Sequence, residues 1–271
     1  MTKRLRIFAG PNGSGKSSII KKILNTEVQE GVKLDFGIYI NADDIAQELL
    51  KKGCRFSKFE INFDENEFHQ TANDSGLINA DFDKTRFENC ILIEKNKLTI
   101  IKEVALQKDD KPYERIAQII ADYLRKKLLS EEKKFSFETV FSHQGKVDII
   151  KQAKKDGYKV YLYFVSTEHP DINVYRVKKV RVAQKGHDVD EEKIVSRYYR
   201  SMNFLFEAAQ HCYQCYFFDN SKDGSDQTMF AHFKINPEGE KVWDKLDVKS
   251  YPAWFKEYYS SKISQKNSNQ H

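Results

Sequence analysis

The chain has 271 residues, of which 40% are hydrophobic and 31% charged, and its 45 basic and 40 acidic residues leave a formal net charge of +5. This composition is that of one large globular domain, alone or with appendages, and it excludes low-complexity and collagen-like chains. No apolar run approaches the roughly 18 residues of a membrane span, and no signal-peptide pattern precedes the first strand, so we expect a cytoplasmic protein. The small basic excess suits anionic small molecules as well as nucleic acid.

A glycine-rich segment follows the first apolar run of the chain. Its spacing is G-x-x-x-x-G-K-[ST], and a helical pattern begins directly after it. In a strand–loop–helix context, glycines let backbone N–H groups face phosphate oxygens, Lys16 reaches the β- and γ-phosphates, and Ser17 binds Mg²⁺. We therefore predict that the chain binds ATP or GTP with Mg²⁺ through Gly10, Pro11, Asn12, Gly13, Ser14, Gly15, Lys16, Ser17 and Ser18.

A second short strand is predicted over 36–40, followed by a helix that ends near Gly53. Asp44 and Gln47 have the spacing of a capping box, so we expect Asp44 to be structural. Asp43 is then left at the carboxyl edge of a strand, where ligands gather in open α/β sheets. We predict that Asp43 accepts the proton of an attacking hydroxyl, the alternative being a helix N-cap.

Residues 54–111 break the alternation of strands and helices. A β-hairpin is predicted around 95–97, and the many phenylalanines favour a small core over a base-stacking platform. Because acceptor-binding lobes of P-loop kinases occupy this place in the chain, we predict that the insert covers the acceptor.

Beyond the insert, Pro112 begins an amphipathic helix. A strand over 135–137 delivers Glu138 to the same sheet edge as Asp43. There it is expected to bind Mg²⁺ through water or to hydrogen-bond the acceptor, the alternative being an ion pair with a nearby lysine. The strand 158–166 precedes a basic helix over 172–182, whose Arg176 and Arg181 would neutralise phosphate charge or lie on a solvated face.

A last core strand over 216–218 leads to the polar run 219–221. Cys212 and Cys215 lie beside His211, but without a second ligand pair of matching spacing we expect structural thiols rather than a zinc site. Strands separated by helices predict an α/β fold with a mainly parallel, doubly wound sheet. We predict a core over 1–223 with the insert 54–111, followed by a C-terminal appendage over 224–271 with an edge strand and a helix.

Six segments together resemble the zeta toxin family, and more closely its branch of predicted ATPases or kinases. They are F-A-G-P-N-G-S-G-K-S (8–17), N-A-D (41–43), F-E-T (137–139), R-V-A and G-H-D-V (181–183 and 186–189), R-Y-Y-R-S (197–201) and F-D-N-S (218–221). The resemblance implies a three-layer P-loop kinase fold and transfer of phosphate from ATP or GTP, with Mg²⁺, to a hydroxyl of UDP-N-acetylglucosamine. It also implies a protein antitoxin that blocks the nucleotide site.

Residue by residue, the resemblance places the catalytic carboxylate on Asp43, substrate contacts on Glu138 and Thr139, and lid arginines on Arg176 and Arg181. It places Asp219, Asn220 and Ser221 beside the nucleotide base. The toxins usually have an arginine at the position of Ala46, and the insert lies where a sugar nucleotide would dock, so the acceptor stays open. Two other functions stay open: a nucleotide-dependent switch that binds a protein, and a polynucleotide kinase.

Overall fold

The computed structural model describes residues 2–105, 111–181, 189–222, 227–246 and 251–263. The chain forms two compact units, one of Met1–Phe36 with Ser136–His271 and one of Gly37–Phe135. The predicted insert 54–111 lies inside the second unit, which begins earlier and ends later than the insert. None of the described helices is long and apolar enough to cross a membrane.

The elements are numbered in chain order. The strands are β1 (Arg4–Ala9), β2 (Glu27–Gln29), β3 (Val32–Lys33), β4 (Ile38–Ile40), β5 (Cys54–Arg55), β6 (Ile91–Glu94), β7 (Lys97–Ile100), β8 (Phe135–Thr139), β9 (Lys159–Ser166), β10 (Gln214–Asp219), β11 (Thr228–Ile235) and β12 (Lys241–Leu246). The α-helices are α1 (Lys16–Leu24), α2 (Ala42–Lys51), α3 (Glu65–Asp74), α4 (Lys84–Cys90), α5 (Lys102–Ala105), α6 (Pro112–Ser130), α7 (Gly145–Lys155), α8 (Pro170–Tyr175), α9 (Glu191–Ala209) and α10 (Ala253–Phe255). A 3₁₀ turn spans Phe56–Phe59, and π-helical segments span Arg176–Arg181 and Lys256–Ser260.

The main sheet of the first unit runs in the order β12-β11-β10-β9-β1-β8. Strands β1, β9 and β10 pair in parallel, whereas β11 and β12 are antiparallel additions. β9 lies near the middle of this sheet. Its residues from Leu162 to Ser166 are all buried, as expected of a parallel strand that is covered on both faces. The predicted α/β class with a mainly parallel sheet is confirmed.

Aromatic packing joins the end of the chain to this sheet. Phe217 of β10 lies within 5.0 Å, between ring centroids, of both Phe255 and Tyr259, and Trp254 is 2% exposed. The range 224–271, predicted as an appendage, therefore supplies two sheet strands and a buried helical segment.

The second unit has its own core. Phe56, Phe68, Phe82 and Phe87 are all buried, and Tyr123 of α6 meets Phe68 edge-on with 5.6 Å between ring centroids. The aromatic residues are thus core, as the composition of the insert indicated. A three-stranded sheet in the order β5-β7-β6 completes the unit.

The predicted hairpin is confirmed, with a tighter turn than expected. Glu94 pairs with Lys97 across β6 and β7, so only Lys95 and Asn96 form the turn, with φ of 48° and 61°. Positive φ at both central residues is typical of a type I′ turn, whose twist matches the paired strands.

One local prediction was wrong. The helix α2 is capped by Asn41, whose side chain accepts from the N–H of Asp43, so neither Asp44 nor Asp43 is the N-cap. Residues 25–35 contain the hairpin of β2 and β3. The helix predicted over 172–182 is confirmed through Arg181, as α8 followed after Tyr175 by a π-helical segment.

Candidate nucleotide-binding site

The loop between β1 and α1 has a backbone that only glycine accommodates. Gly10, Gly13 and Gly15 have φ of 145°, 73° and 95°. A Cβ on Gly10 would lie 2.0 Å from the carbonyl oxygen of Val165, so this glycine also permits the loop to lie directly against β9. The glycine spacing thus has the structural cause that the sequence predicted.

Lys16 lies inside this loop. Its side chain is buried, and Nζ donates to the carbonyl oxygens of Gly10 at 2.9 Å and Pro11 at 2.8 Å. A second polar group is buried beside it, because Ser14 is fully buried and its Oγ has no hydrogen-bond partner among the residues described. Buried polar groups are normally paired, so a hydroxyl in this state fits a loop that accepts a ligand.

The helix that follows adds an anion-binding feature. α1 begins at Lys16, and its N-cap Gly15 has no side chain to satisfy the first-turn N–H groups. Such N–H groups and the helix dipole favour a phosphate at this end of the helix. The arrangement therefore suits the terminal phosphates of a nucleotide.

Ser17 and Glu138 bring two oxygen ligands together. Ser17 is the second residue of α1, and Glu138 is near the end of β8; Ser17 Oγ lies 3.5 Å from Glu138 Oε1. Mg²⁺ prefers such oxygen ligands and usually retains several waters. Ser17 and Glu138 are donors of this kind; among the described residues, no cluster of three or more His, Cys, Asp or Glu ligands occurs.

Thr139, predicted to contact substrate, fixes the turn after β8. Its Oγ1 accepts from the N–H of Phe141 at 3.2 Å, and Phe141 is buried with a φ of 63°. A bulky residue with positive φ is strained, and strain of this kind clusters at functional sites. Thr139 thus holds the chain in shape directly beyond Glu138.

Arg176 and Asn220 are joined to the loop by hydrogen bonds. Asn220 Nδ2 donates to the carbonyl oxygen of Ser14 at 2.8 Å, and Arg176 donates to the carbonyl oxygen of Asn220 at 2.7 Å. A Cβ on Gly15 would lie 2.3 Å from Asn220 Nδ2, which shows how closely the amide approaches the loop. The side chain of Arg181 and residues 182–188 lie outside the described part of the chain.

Asp219 and Ser221 are linked to the C-terminal segment. Asp219 Oδ1 accepts from Ser221 Oγ at 2.7 Å and from Trp254 Nε1 at 3.0 Å. Ser221 Oγ in turn accepts from the N–H of Glu168 at 2.8 Å. These bonds anchor the loop that carries Asn220, and the predicted contact of Asp219 and Ser221 with a nucleotide base stays a prediction.

Sequence reasoning missed a buried network behind the loop. Asn173 Nδ2 donates to the carbonyl oxygen of Asn12, and Thr167 Oγ1 donates to Asn173 Oδ1. Tyr198 donates to the carbonyl oxygen of Thr167 at 2.7 Å, and burial raises the pKa of this tyrosine, which keeps it a neutral donor. Thr167 and Asn173 lie in none of the motifs singled out above, and the bonds that join them to Tyr198 and Asn12 span 31 and 161 positions of the chain.

Asp43 belongs to the second unit. It lies in the first turn of α2, is exposed, and its N–H donates to Asn41 Oδ1 at 2.8 Å. Partial burial, and then the charge of Asp43, raise the pKa of the neighbouring Asp44. The role of Asp43 as proton acceptor stays a prediction.

Comparison with solved structures identifies a shared fold. A chain of the AvrRxo1-ORF1:AvrRxo1-ORF2 complex with sulphate ions matches 90% of this chain with a TM-score of 0.50 and 13% identity. The PezAT chromosomal toxin–antitoxin system of Streptococcus pneumoniae matches with a TM-score of 0.43, 13% identity and coverage of 99% of this chain and 87% of that chain. The AvrRxo1 complex with ATP matches with a TM-score of 0.45, 12% identity and coverage of 92% of this chain and 66% of that chain.

The first of these likenesses, at 13% identity, shows a shared fold alone, and it agrees with the expected α/β fold. The chain spans 61% of the length of that AvrRxo1 chain. No family model and no curated protein matches the sequence.

Proposed function

We propose that the chain is an ATP- or GTP-dependent kinase that transfers the γ-phosphate to a hydroxyl of a small metabolite. The observation that supports this most is the position of Lys16, whose ammonium group lies buried within the glycine loop with Ser17 directly after it. Phosphoryl transfer depends mainly on the positioning of the reactants and on the stabilisation of charge on the phosphates, and the backbone N–H groups and Lys16 of this loop would supply both.

Several residues of the first unit would act on the nucleotide. The loop N–H groups and Lys16 would bind the β- and γ-phosphates, and Arg176 would add positive charge from its position at Asn220. Ser17 and Glu138 would hold Mg²⁺, which, when bound, supplies charge neutralisation on the phosphates. Arg181 is proposed from the sequence alone as a further phosphate contact.

Asp43 would accept the proton of the acceptor hydroxyl. In the reaction, the hydroxyl oxygen bonds to the γ-phosphorus, the bond from that phosphorus to the β–γ bridging oxygen breaks, and the nucleoside diphosphate leaves. Glu138 and Thr139 would orient the acceptor. A nucleotide sugar, UDP-N-acetylglucosamine first, is the acceptor class that the resemblance favours, and a protein antitoxin is the partner that it favours.

Transfer of radiolabelled γ-phosphate tests this proposal. The protein is incubated with labelled ATP and Mg²⁺, with and without a metabolite extract, and organic products are identified by mass. We expect label on an organic product with the wild type, and a loss of about 100-fold or more with Lys16→Ala. Lys21→Ala, which changes an exposed lysine of α1, is the matched control.

Release of inorganic phosphate alone, at a rate that no extract changes, would contradict the kinase. Capture of a protein by the ATP-bound form, together with such release, would favour a nucleotide-dependent switch. Binding of oligonucleotides that weakens steeply with salt would favour a polynucleotide kinase instead.

A further inference from the structure

A cavity within the second unit has a strongly basic lining. Its volume is about 440 Å³, and its walls come from the end of α2, from β5 and the turn after it, and from β7. The lining residues are Glu48, Lys52, Gly53, Arg55, Ser57, Lys58 and Lys97. Four cationic side chains therefore face one carboxylate.

Two of these cations oppose each other across the sheet. Arg55 of β5 pairs directly with Lys97 of β7 in antiparallel register. Like charges at directly opposite positions destabilise a strand pair. Glu94 of β6 lies directly opposite Lys97 on the other side of β7, and its charge offsets part of this repulsion. Among the described residues of this sheet, no acidic residue pairs with Arg55.

The remaining two cations lie near Glu48, and Lys58 also interacts with Asp44. Lys58 forms an ion pair with Glu48, and Lys52 lies 3.9 Å from the same carboxylate. Burial lowers the pKa of Lys58, and the charge of Asp44 partly opposes this effect by raising it. Keeping this ammonium group charged therefore costs free energy. A bound anion would offset that cost, because an opposite charge nearby favours the charged form.

The floor of the cavity is shaped by Gly53. Its φ is 78°, and a Cβ there would lie 2.5 Å from Thr99 Cγ2 and 3.0 Å from Lys97 Cε. A larger residue would therefore displace the stem of Lys97. The Ser57 hydroxyl adds a neutral donor to the lining.

A purely structural role explains only part of this cluster. Cations near the end of α2 interact favourably with the helix dipole, which accounts for Lys52. Lys97 is accounted for in part by Glu94, its partner on β6. Neither explanation extends to Arg55, which lies on β5 opposite Lys97. The pair and the cavity together point to a ligand that carries negative charge.

We propose that this cavity binds a phosphate or diphosphate group of a small metabolite. Arg55 offers a planar pair of donors suited to phosphate oxygens, and Lys97 and Lys58 offer ammonium groups on neighbouring walls. No residue of the glycine loop is among the residues that line this cavity, and the proposal does not depend on the kinase activity proposed above.

Calorimetric titration of the full chain with inorganic pyrophosphate tests the proposal. Because the glycine loop also binds phosphates, we expect two sites in the wild type. Lys16→Ala should remove one, and Lys97→Glu should weaken the other about tenfold or more. The double variant Lys84→Ala with Lys102→Ala, at exposed positions of the same unit, is the control for charge.

The unfolding temperature of the Lys97→Glu variant shows whether the variant still folds. The substitution places an acid opposite Arg55 but also opposite Glu94, so one opposed pair of like charges replaces another, and the unfolding temperature of the ligand-free protein should change little while pyrophosphate binding weakens. A single pyrophosphate site, lost in Lys16→Ala and retained in Lys97→Glu, would overturn the proposal. Oligonucleotide binding lost in Lys97→Glu, with no second pyrophosphate site, would overturn it in favour of nucleic acid.

The transfer assay distinguishes two sources of the phosphate group. If the group belongs to the acceptor, Lys97→Glu should raise the KM for the acceptor, and pyrophosphate should compete with it. If it belongs to a separate ligand, the acceptor KM should stay unchanged while the calorimetric site is still lost.

Discussion

The two compact units differ in how their polar side chains are placed. Around the glycine loop, Asn173, Thr167 and Asn220 are bonded to one another or to the loop, so the shape of the loop is fixed by the chain itself. In the second unit, Asp43 is exposed, and Arg55 and Lys97 face each other. The difference indicates that the chain itself fixes the glycine loop of the first unit, whereas the proposed anion site of the second unit is lined mostly by charged side chains, most of which are exposed.

The largest effect should come from breaking the fixed loop. Gly10→Ala places a Cβ 2.0 Å from the Val165 carbonyl and forces alanine into a backbone region that costs about 1–3 kcal/mol, before the clash is counted. We expect ATP affinity to fall at least tenfold, by about 1.4 kcal/mol or more, measured by titration.

Gly31→Ala is the matched control for this change. Gly31 also has a positive φ, of 73°, but a Cβ there meets nothing within 4 Å. It should lower the free energy of unfolding by about 1–2 kcal/mol and leave ATP affinity unchanged. Equal ATP affinities for the two variants would contradict the fixed loop.

A smaller effect is expected from the contact that holds the loop from outside. Asn220→Ala removes the 2.8 Å bond to the Ser14 carbonyl, a bond of a kind that contributes about 0.5–1.5 kcal/mol. We expect ATP to bind about two- to tenfold more weakly. Asn203→Ala, at an exposed position of α9, is the control, and identical affinities in both variants would show that Asn220 does not support the loop.

The smallest effect concerns stability in the second unit. Because the pKa of Asp44 is raised in the folded chain, the folded state binds more protons than the unfolded state above the ordinary pKa of 3.8, and stability falls as pH rises through that range. Asp44→Asn should therefore slightly raise the unfolding temperature at pH 7. The gain should vanish below the ordinary pKa; a gain of the same size at acid pH would contradict this assignment.

Much of the glycine loop could be predicted from the sequence, because its motif specifies the conformation of the backbone. Gly10 and Gly15 are required by their positive φ and by close neighbours, and Lys16 lies in the loop that they form. The strand β9 was equally predictable, since residues 160–165 form a continuous run of apolar and aromatic residues, as expected of a buried parallel strand.

The supporting network and the cap of α2 were harder to predict. Asn173 acts on Asn12, 161 positions away in the chain, and no local pattern reports such a contact. Asn41 and Asp44 both have side chains suited to the N-cap of α2. The helix begins at Ala42, so Asn41 is the N-cap. The opposition of Arg55 and Lys97 depends on a register that the sequence leaves open.

The most direct test of the proposed kinase compares two adjacent carboxylates. Asp43→Asn and Asp44→Asn are assayed for ATP affinity and for transfer of labelled γ-phosphate to the organic product. We predict that both variants bind ATP like the wild type, that Asp44→Asn transfers at a similar rate, and that Asp43→Asn loses about 100-fold or more. Transfer by Asp43→Asn at the wild-type rate would contradict the assignment of the proton acceptor.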